Sequence, residues 1–147
     1  MTGDEHVLIG YTTGVYDMLH IGHLRLLQRA KSECDQLIVG VTTDELSMDA
    51  KGKRPVVPFV ERRQMVSALR CVDLTVPQTS MDKMSAWRSL GFHRMFVGDD
   101  WKGSDKWREL EREFGELEVD IVYFPYTKTT SSTQLREALW QVHGTEA

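Results

Sequence analysis

Residues 7–33 read VLIGYTTGVYDMLHIGHLRLLQRAKSE, and this stretch decides the fold. Its first part, VLIGYTT (7–13), is an unbroken apolar run of strand length, the pattern of a strand buried on both faces of a parallel sheet. Its last part, IGHLRLLQRAKSE (21–33), places Leu24, Leu27 and Ala30 on one side of a helix. Between strand and helix stand Gly14, Asp17, His20, Gly22 and His23, an unusual density of glycine and titratable side chains for a simple turn.

The same alternation continues along the chain. Strand-length runs QLIVGVTT (36–43), LTVP (74–77), RMFVGD (94–99) and DIVYFP (120–125) are separated by helical patterns. Those patterns are PFVERRQMVSAL (58–69), MDKMSAWRSLG (81–91), SDKWRELEREFG (104–115) and SSTQLREALWQV (131–142). Pro58 suits a first helical turn, Gly91 and Gly115 suit the position just past a helix end, and the hydroxyls of the last pattern suit a cap. TTDELSMDAKGKRPVVP (42–58) reads as a loop. Together these predict an α/β fold: a Rossmann-like, doubly wound parallel sheet of about five strands. One domain is expected over residues 1–147, with its core at about 7–140 and fraying from Gly144.

Composition narrows the class. Hydrophobic residues make up 41% of the 147, as in ordinary globular domains. No apolar run approaches the ~20 residues that span a bilayer, and MTGDEHVLIG lacks the basic start of a signal peptide. A cytoplasmic protein without a membrane partner is therefore expected. The net charge of −4, with no basic block, gives no nucleic-acid footprint. The two cysteines, Cys34 and Cys71, fit no metal or redox spacing and read as buried small hydrophobes.

In doubly wound sheets ligands sit beyond the carboxyl ends of the strands, so the segments that follow strands carry the functional reading. After the first strand, His20 and His23 share one face at a helix N-terminus. Such an end offers unpaired N–H groups and the positive end of the helix dipole to an anion. Two imidazoles there suit phosphate oxygens; alternatively one ring is solvated and the other a satisfied core group. After the second strand come Lys51, Lys53 and Arg54, either solvated or converging on an anion. After the fourth comes VGDDWKG, in which Asp99, Asp100 and Trp101 suit either a ligand pocket or an Asx-type turn with a packed indole. After the fifth, TKTTSSTQLRE opens a second helix with hydroxyls. Four such segments, each suited to anions, point to a shared polyphosphate site. The glycine-rich fingerprints GxGxxG and GxxxxGK[ST] are both missing, which counts against dinucleotide and P-loop chemistry.

TGVYDMLHIGH (13–23) resembles the GxFDxxHxGH signature of the nucleotidyltransferase superfamily that includes the cytidylyltransferases. AKGKRPVVPFVERRQMVSALRCVD (50–73) is similar to that family's lysine loop and the helix that follows, ending on its RYVD element. VGDDWKG (97–103) resembles the GDDWxG run of the bacterial glycerol-3-phosphate cytidylyltransferases. TKTTSSTQLRE (127–137) stands where the family has RTxGISTT. The departures are Tyr16 for phenylalanine, Tyr126 for arginine, Thr129 for glycine and Thr130 for isoleucine, with Lys128 available as a substitute point charge.

This resemblance implies transfer of a nucleotidyl group from CTP to glycerol 3-phosphate, giving CDP-glycerol for a cell-surface polymer. It implies His20, His23 and Lys51 as catalytic residues. Nucleotide binding is implied for Thr13, Gly14, Tyr16, Gly22, Arg62, Asp99, Asp100, Trp101, Thr127, Ser131, Ser132 and Thr133. Acceptor binding is implied for Asp17, Lys51, Lys53 and Arg70, with Asp17 also a candidate Mg²⁺ ligand to an ion held mostly by phosphates. A homodimer with the RCVD element (70–73) near its interface is implied as well. Other phosphate acceptors, ATP in place of CTP, and a non-catalytic nucleotide-binding regulator remain alternatives.

Overall fold

A computed structural model of the chain describes residues 7–99, 102–125 and 132–143. Five strands alternate with helices: β1 (Ile9–Gly14), α1 (Ile21–Ser32), β2 (Gln36–Thr42), α2 (Asp44–Lys51), α3 (Phe59–Ser67), β3 (Leu74–Gln78), α4 (Lys83–Leu90), β4 (Arg94–Gly98), α5 (Asp105–Glu116), β5 (Asp120–Phe124) and α6 (Ser132–His143). All four strand pairings are parallel, in the order β3-β2-β1-β4-β5. The unbroken apolar runs have the reason expected of them, because both faces of the sheet are covered. On one face Leu27 and Ala30 of α1 and Val66 of α3 pack on Leu37, Val39, Val41, Phe96 and Phe124. On the other, Trp107 and Phe114 of α5, with Met84 and Trp87 of α4, pack on Tyr11, Ile38 and Met95.

Local signals account for most element ends. Asp82 caps α4 by accepting from Met84 and Ser85 N–H, and Gly91 closes it at φ 65°. Three boundaries differ from the sequence reading. The stretch read as a loop after β2 contains α2: Thr43 caps it, Asp44 and Glu45 occupy its dipole-favoured first turn, and Gly52 ends it at φ 68°. Pro58 is the cap of α3, one residue earlier than the first-turn place expected of it. Gly115 lies inside the last turn of α5; the helix runs on to Glu116, and Glu118 takes the left-handed conformation at φ 61° instead. Cys34 and Cys71 are free and half-buried, each thiol raised by burial, a more peripheral place than the core expected of them.

The strand order sets the place of the site. From β1 the chain winds outward through β2 to β3, then α4 carries it back over both to β4, on the other flank of β1. The winding therefore changes direction between β1 and β4, the position where such sheets open a crevice. Here the ladder between the two strands covers Gly10 with Arg94 and Tyr11 with Met95. One residue further the Thr12 hydroxyl takes the Phe96 carbonyl at 2.9 Å. β1 and β4 thus part toward their carboxyl ends, and the histidine turn and residue 99 follow from those ends.

Candidate active site

His20 is the N-cap of α1, with extended backbone (φ −139°, ψ −179°). Its Nδ1 accepts from Gly22 N–H at 3.1 Å, and His23 Nδ1 accepts in return from His20 N–H at 3.2 Å. The two rings stack at a centroid distance of 3.9 Å. Because both Nδ1 atoms accept backbone protons, each neutral ring carries its own proton on Nε2, on the edge away from the helix backbone. Burial lowers the His20 pKa. Burial, reinforced by His20 and opposed by Asp17, brings that of His23 down to about 4. At neutral pH the pair is therefore two uncharged Nε2–H donors, side by side, at the positive end of a helix.

The residues beneath the pair are closely fitted. Tyr16 is buried and meets His23 edge-on at 5.4 Å. A Cβ at Gly14 would come within 2.7 Å of the Tyr16 ring, so that position takes only glycine while the ring stays put. Thr13 is half-buried at the end of β1. Gly22 supplies the N–H that orients His20.

Lys51 is the last residue of α2, and Lys53 and Arg54 follow the Gly52 turn. All three are exposed and, among the described residues, enter no ion pair. The turn itself is held: Gly52 N–H donates to Met48 C=O at 2.9 Å and the Ser47 hydroxyl to Lys53 C=O at 2.9 Å. Asp99 is exposed at the end of β4. Asp100, Trp101, Thr127 and Ser131, with the departures Tyr126, Lys128, Thr129 and Thr130, lie outside the described residues, as do the side chains of Ser132 and Thr133.

Three of the residues expected on ligands are placed or engaged otherwise in the structure. Arg62, expected on a polyphosphate, has a side chain with no solvent exposure and is spent inside the protein. Its Nε donates to Val57 C=O, Nη1 to Val15 and Thr42 C=O, and Nη2 to Asp44, at 2.7–2.8 Å. Arg70, expected on the acceptor, is exposed in the turn that leads into β3. In a parallel sheet that is the amino end, opposite the histidines. Asp17, expected on the acceptor or on Mg²⁺, is 2% exposed and accepts Val56 N–H at 2.8 Å and Val57 N–H at 2.9 Å, one on each oxygen. Among the described residues no three His, Cys, Asp or Glu side chains are grouped to hold a metal.

One cation escaped the sequence reading. Lys83 opens α4, just past the carboxyl end of β3. Burial, then the charge of Lys106, push its pKa down to about 8. A half-buried lysine beside another lysine at a helix N-terminus is short of negative charge. In sequence it follows the capping aspartate Asp82 and looks like any solvated first-turn residue; its burial has no local signal.

The sequence profile of the cytidylyltransferase-like family matches residues 11–138. The glycerol-3-phosphate cytidylyltransferase of Staphylococcus aureus is 31% identical over 130 residues, covering 88% of this chain and 92% of that one. The bifunctional protein HldE of Acidiphilium cryptum is 42% identical over 134 residues, 87% of this chain but 27% of that protein. Among solved structures, the lipopolysaccharide core biosynthesis protein of Thermoplasma volcanium superposes with a TM-score of 0.70 at 26% identity, covering 84% of this chain and 99% of that one.

Proposed function

The chain belongs to the cytidylyltransferase-like family, a nucleotidyltransferase enzyme by its relatives, and from that premise we propose that it joins CTP to glycerol 3-phosphate, giving CDP-glycerol and pyrophosphate. An oxygen of the acceptor phosphate attacks the α-phosphorus of CTP, and the bond from that phosphorus to the bridging oxygen of pyrophosphate breaks. A phosphate monoester is largely dianionic at neutral pH, since its second pKa is about 6, so no protein base is required. The protein's task is to place donors and positive charge around a phosphorus whose oxygens gain charge, and to hold the reactants in line.

The observation that carries this reading is the stacked pair of Nε2–H donors on the N-terminus of α1. Neutral donors of fixed tautomer grip the transferring phosphoryl and the departing pyrophosphate without having to shed a proton. Lys51 and Lys53 bring full charges from the neighbouring strand end to the α-phosphate and the acceptor. The family resemblance assigns nucleotide binding to Asp99, Asp100 and Trp101 and phosphate binding to Thr127, Ser131, Ser132 and Thr133.

The 42% identity with a stretch of HldE and the superposition on a lipopolysaccharide core biosynthesis protein keep a second reading open: the same chemistry with another phosphate acceptor, such as a sugar phosphate, or with ATP. Pyrophosphate release, followed across the four nucleoside triphosphates against glycerol 3-phosphate, phosphocholine and sugar phosphates, decides between them. Rapid release with CTP and glycerol 3-phosphate alone supports the first reading. Release with another phosphate acceptor or with ATP supports the second, and nucleotide binding without any release makes the chain a regulator. The working unit proposed is a homodimer through the RCVD region, which exposed Val60, Met65 and Leu74 flank in sequence. Light scattering that returns the monomer mass overturns that part.

A further inference from the structure

The turn around Asp17 is strained. Tyr16 and Met18, on either side, hold φ at 54° and 52°, a region that residues with a Cβ seldom occupy. The strain accompanies an inward carboxylate whose two oxygens each take one backbone N–H, from Val56 and Val57. Arg62 closes a ring from the other side, donating to Val57 C=O at 2.8 Å and Val15 C=O at 2.7 Å. Residue 57 is thereby pinned at both its N–H and its C=O, in one case directly by the turn that leads to His20. The upstream end of the same segment is pinned to α2 through Lys53 C=O and Gly52 N–H. Lys51 and Lys53 lie at or just before that upstream pin, and the segment they begin ends on Asp17.

We propose that Asp17 is a positioning residue: it fixes the segment of residues 51–57 against the histidine turn, and so sets the spacing between the lysine charges and the imidazole donors. Its kinetic consequence rests on the nucleotidyl-transfer reading; its geometry does not. The effect is expected in turnover, because a misplacement of about 1 Å between groups that meet one transition state costs on the order of 10²-fold. Two other roles fit the geometry less closely. Asp17 is 2% exposed and each of its oxygens already takes an amide, which leaves a hydrated cation little access to it. It does favour the charged form of His23, but burial outweighs that influence and the ring is neutral at pH 7.

Asp17→Asn tests this. It keeps the side chain's size and one acceptor oxygen, and turns an NH₂ toward the second amide. In native protein, trypsin cleavage after Lys51 and Lys53 is expected to rise about tenfold or more over wild type, with cleavage after Arg112 of α5 unchanged, because only the local closing equilibrium is affected. Turnover is expected to fall on the order of 10²-fold while the KM for CTP and the half-saturating Mg²⁺ stay within about threefold. Asp17→Ala, lacking both acceptors, is expected to open the segment further; if it does not fold, the asparagine variant suffices. Unchanged cleavage overturns the proposal. Unchanged cleavage joined to a rise of about tenfold in the Mg²⁺ or CTP requirement makes Asp17 a ligand instead. Should wild type release no pyrophosphate with any substrates, the functional reading fails, and cleavage alone decides the brace.

Discussion

The histidine turn and the lysine segment follow adjacent strands, β1 and β2, yet they are built on opposite terms. In the first, every ring atom facing the backbone has a partner, the rings stack, and burial keeps them neutral. In the second, three long cations stand in solvent with no ion pair among the described residues. The contrast follows from what each must supply. A neutral N–H donor loses nothing by burial and gains direction from it. A lysine kept fully charged near neutral pH needs water, as Lys83 shows, since burial and a like charge bring it down to about 8. Fixed geometry and full charge are thus divided between two segments, and a third set of residues, Asp17, Arg62 and Asp44, joins them.

The largest expected effect comes from breaking the join. Arg62→Met removes a buried guanidinium and strands Asp44 and the Val15, Thr42 and Val57 carbonyls. Losing one partner of such a network costs about 3–5 kcal/mol, and chemical denaturation at pH 7 measures it. A variant with wild-type stability would show that the histidine turn and the lysine segment stand independently.

Next come the donors themselves. His20→Ala is expected to lower turnover by on the order of 10²–10³-fold, the scale of one preorganised transition-state donor. It also removes a helix cap, at about 0.5–2 kcal/mol. His20→Asn separates the two effects, because asparagine caps a helix well but places no donor where Nε2–H was. Melting temperature should recover in the asparagine variant and turnover should not. Recovery of both would reduce His20 to a cap. In the lysine segment, Lys51→Ala is expected to lower turnover by about 10²-fold with no measurable loss of stability, since its exposed head group enters no ion pair among the described residues. A fall in stability there would mean that the segment is not the purely electrostatic half of the site.

How far these features were legible follows the same division. The five strands and the histidine pair could be read because continuous apolar runs and a dense local motif are properties of neighbouring residues. Helix α2 was missed because DELSMDAK is short, polar and followed closely by glycine and proline, although Thr43 and Gly52 bracket it correctly. Arg62 and Asp17 were placed on ligands because charge in a motif says nothing about where the charge is spent. Their partners lie 39–47 residues away for Asp17 with Val56 and Val57, and for Arg62 with Val15, separations that no local pattern records. The place of Arg70 was not legible for a topological reason: a residue just before a parallel strand lies at the amino end of the sheet, opposite the histidines.

A smaller effect is expected on acidification. His23 has a folded pKa of about 4 against an unfolded value of 6.5, so protonation favours the unfolded chain. The stability linked to this ring is present above pH 6.5 and is lost as pH falls from there toward 4. Physically, the second proton must enter at Nδ1, which expels the His20 N–H. Melts recorded from pH 7 to pH 4 should fall more steeply for wild type than for His23→Asn, and equal slopes would place the ring in water.

The smallest effect concerns the floor of the histidine turn. The Tyr16 hydroxyl is buried with no hydrogen bond of good geometry. Thr12 is close enough to favour the phenolate slightly, but burial dominates and raises the pKa. Thr12 gives its proton to the Phe96 carbonyl and so cannot donate to the phenol, and the phenol's own proton finds no acceptor in hydrogen-bond geometry. Tyr16→Phe therefore deletes a desolvated polar group and keeps the ring that packs over Gly14 and against His23. An unsatisfied buried group costs about 1–3 kcal/mol, offset by the small void its removal leaves, so stability should hold or rise by up to about 1 kcal/mol. Turnover should stay within about twofold, because the ring and not the hydroxyl supports the imidazole. A destabilised variant would show that Thr12 does bind the phenol, and a slow one that the hydroxyl reaches the site through His23.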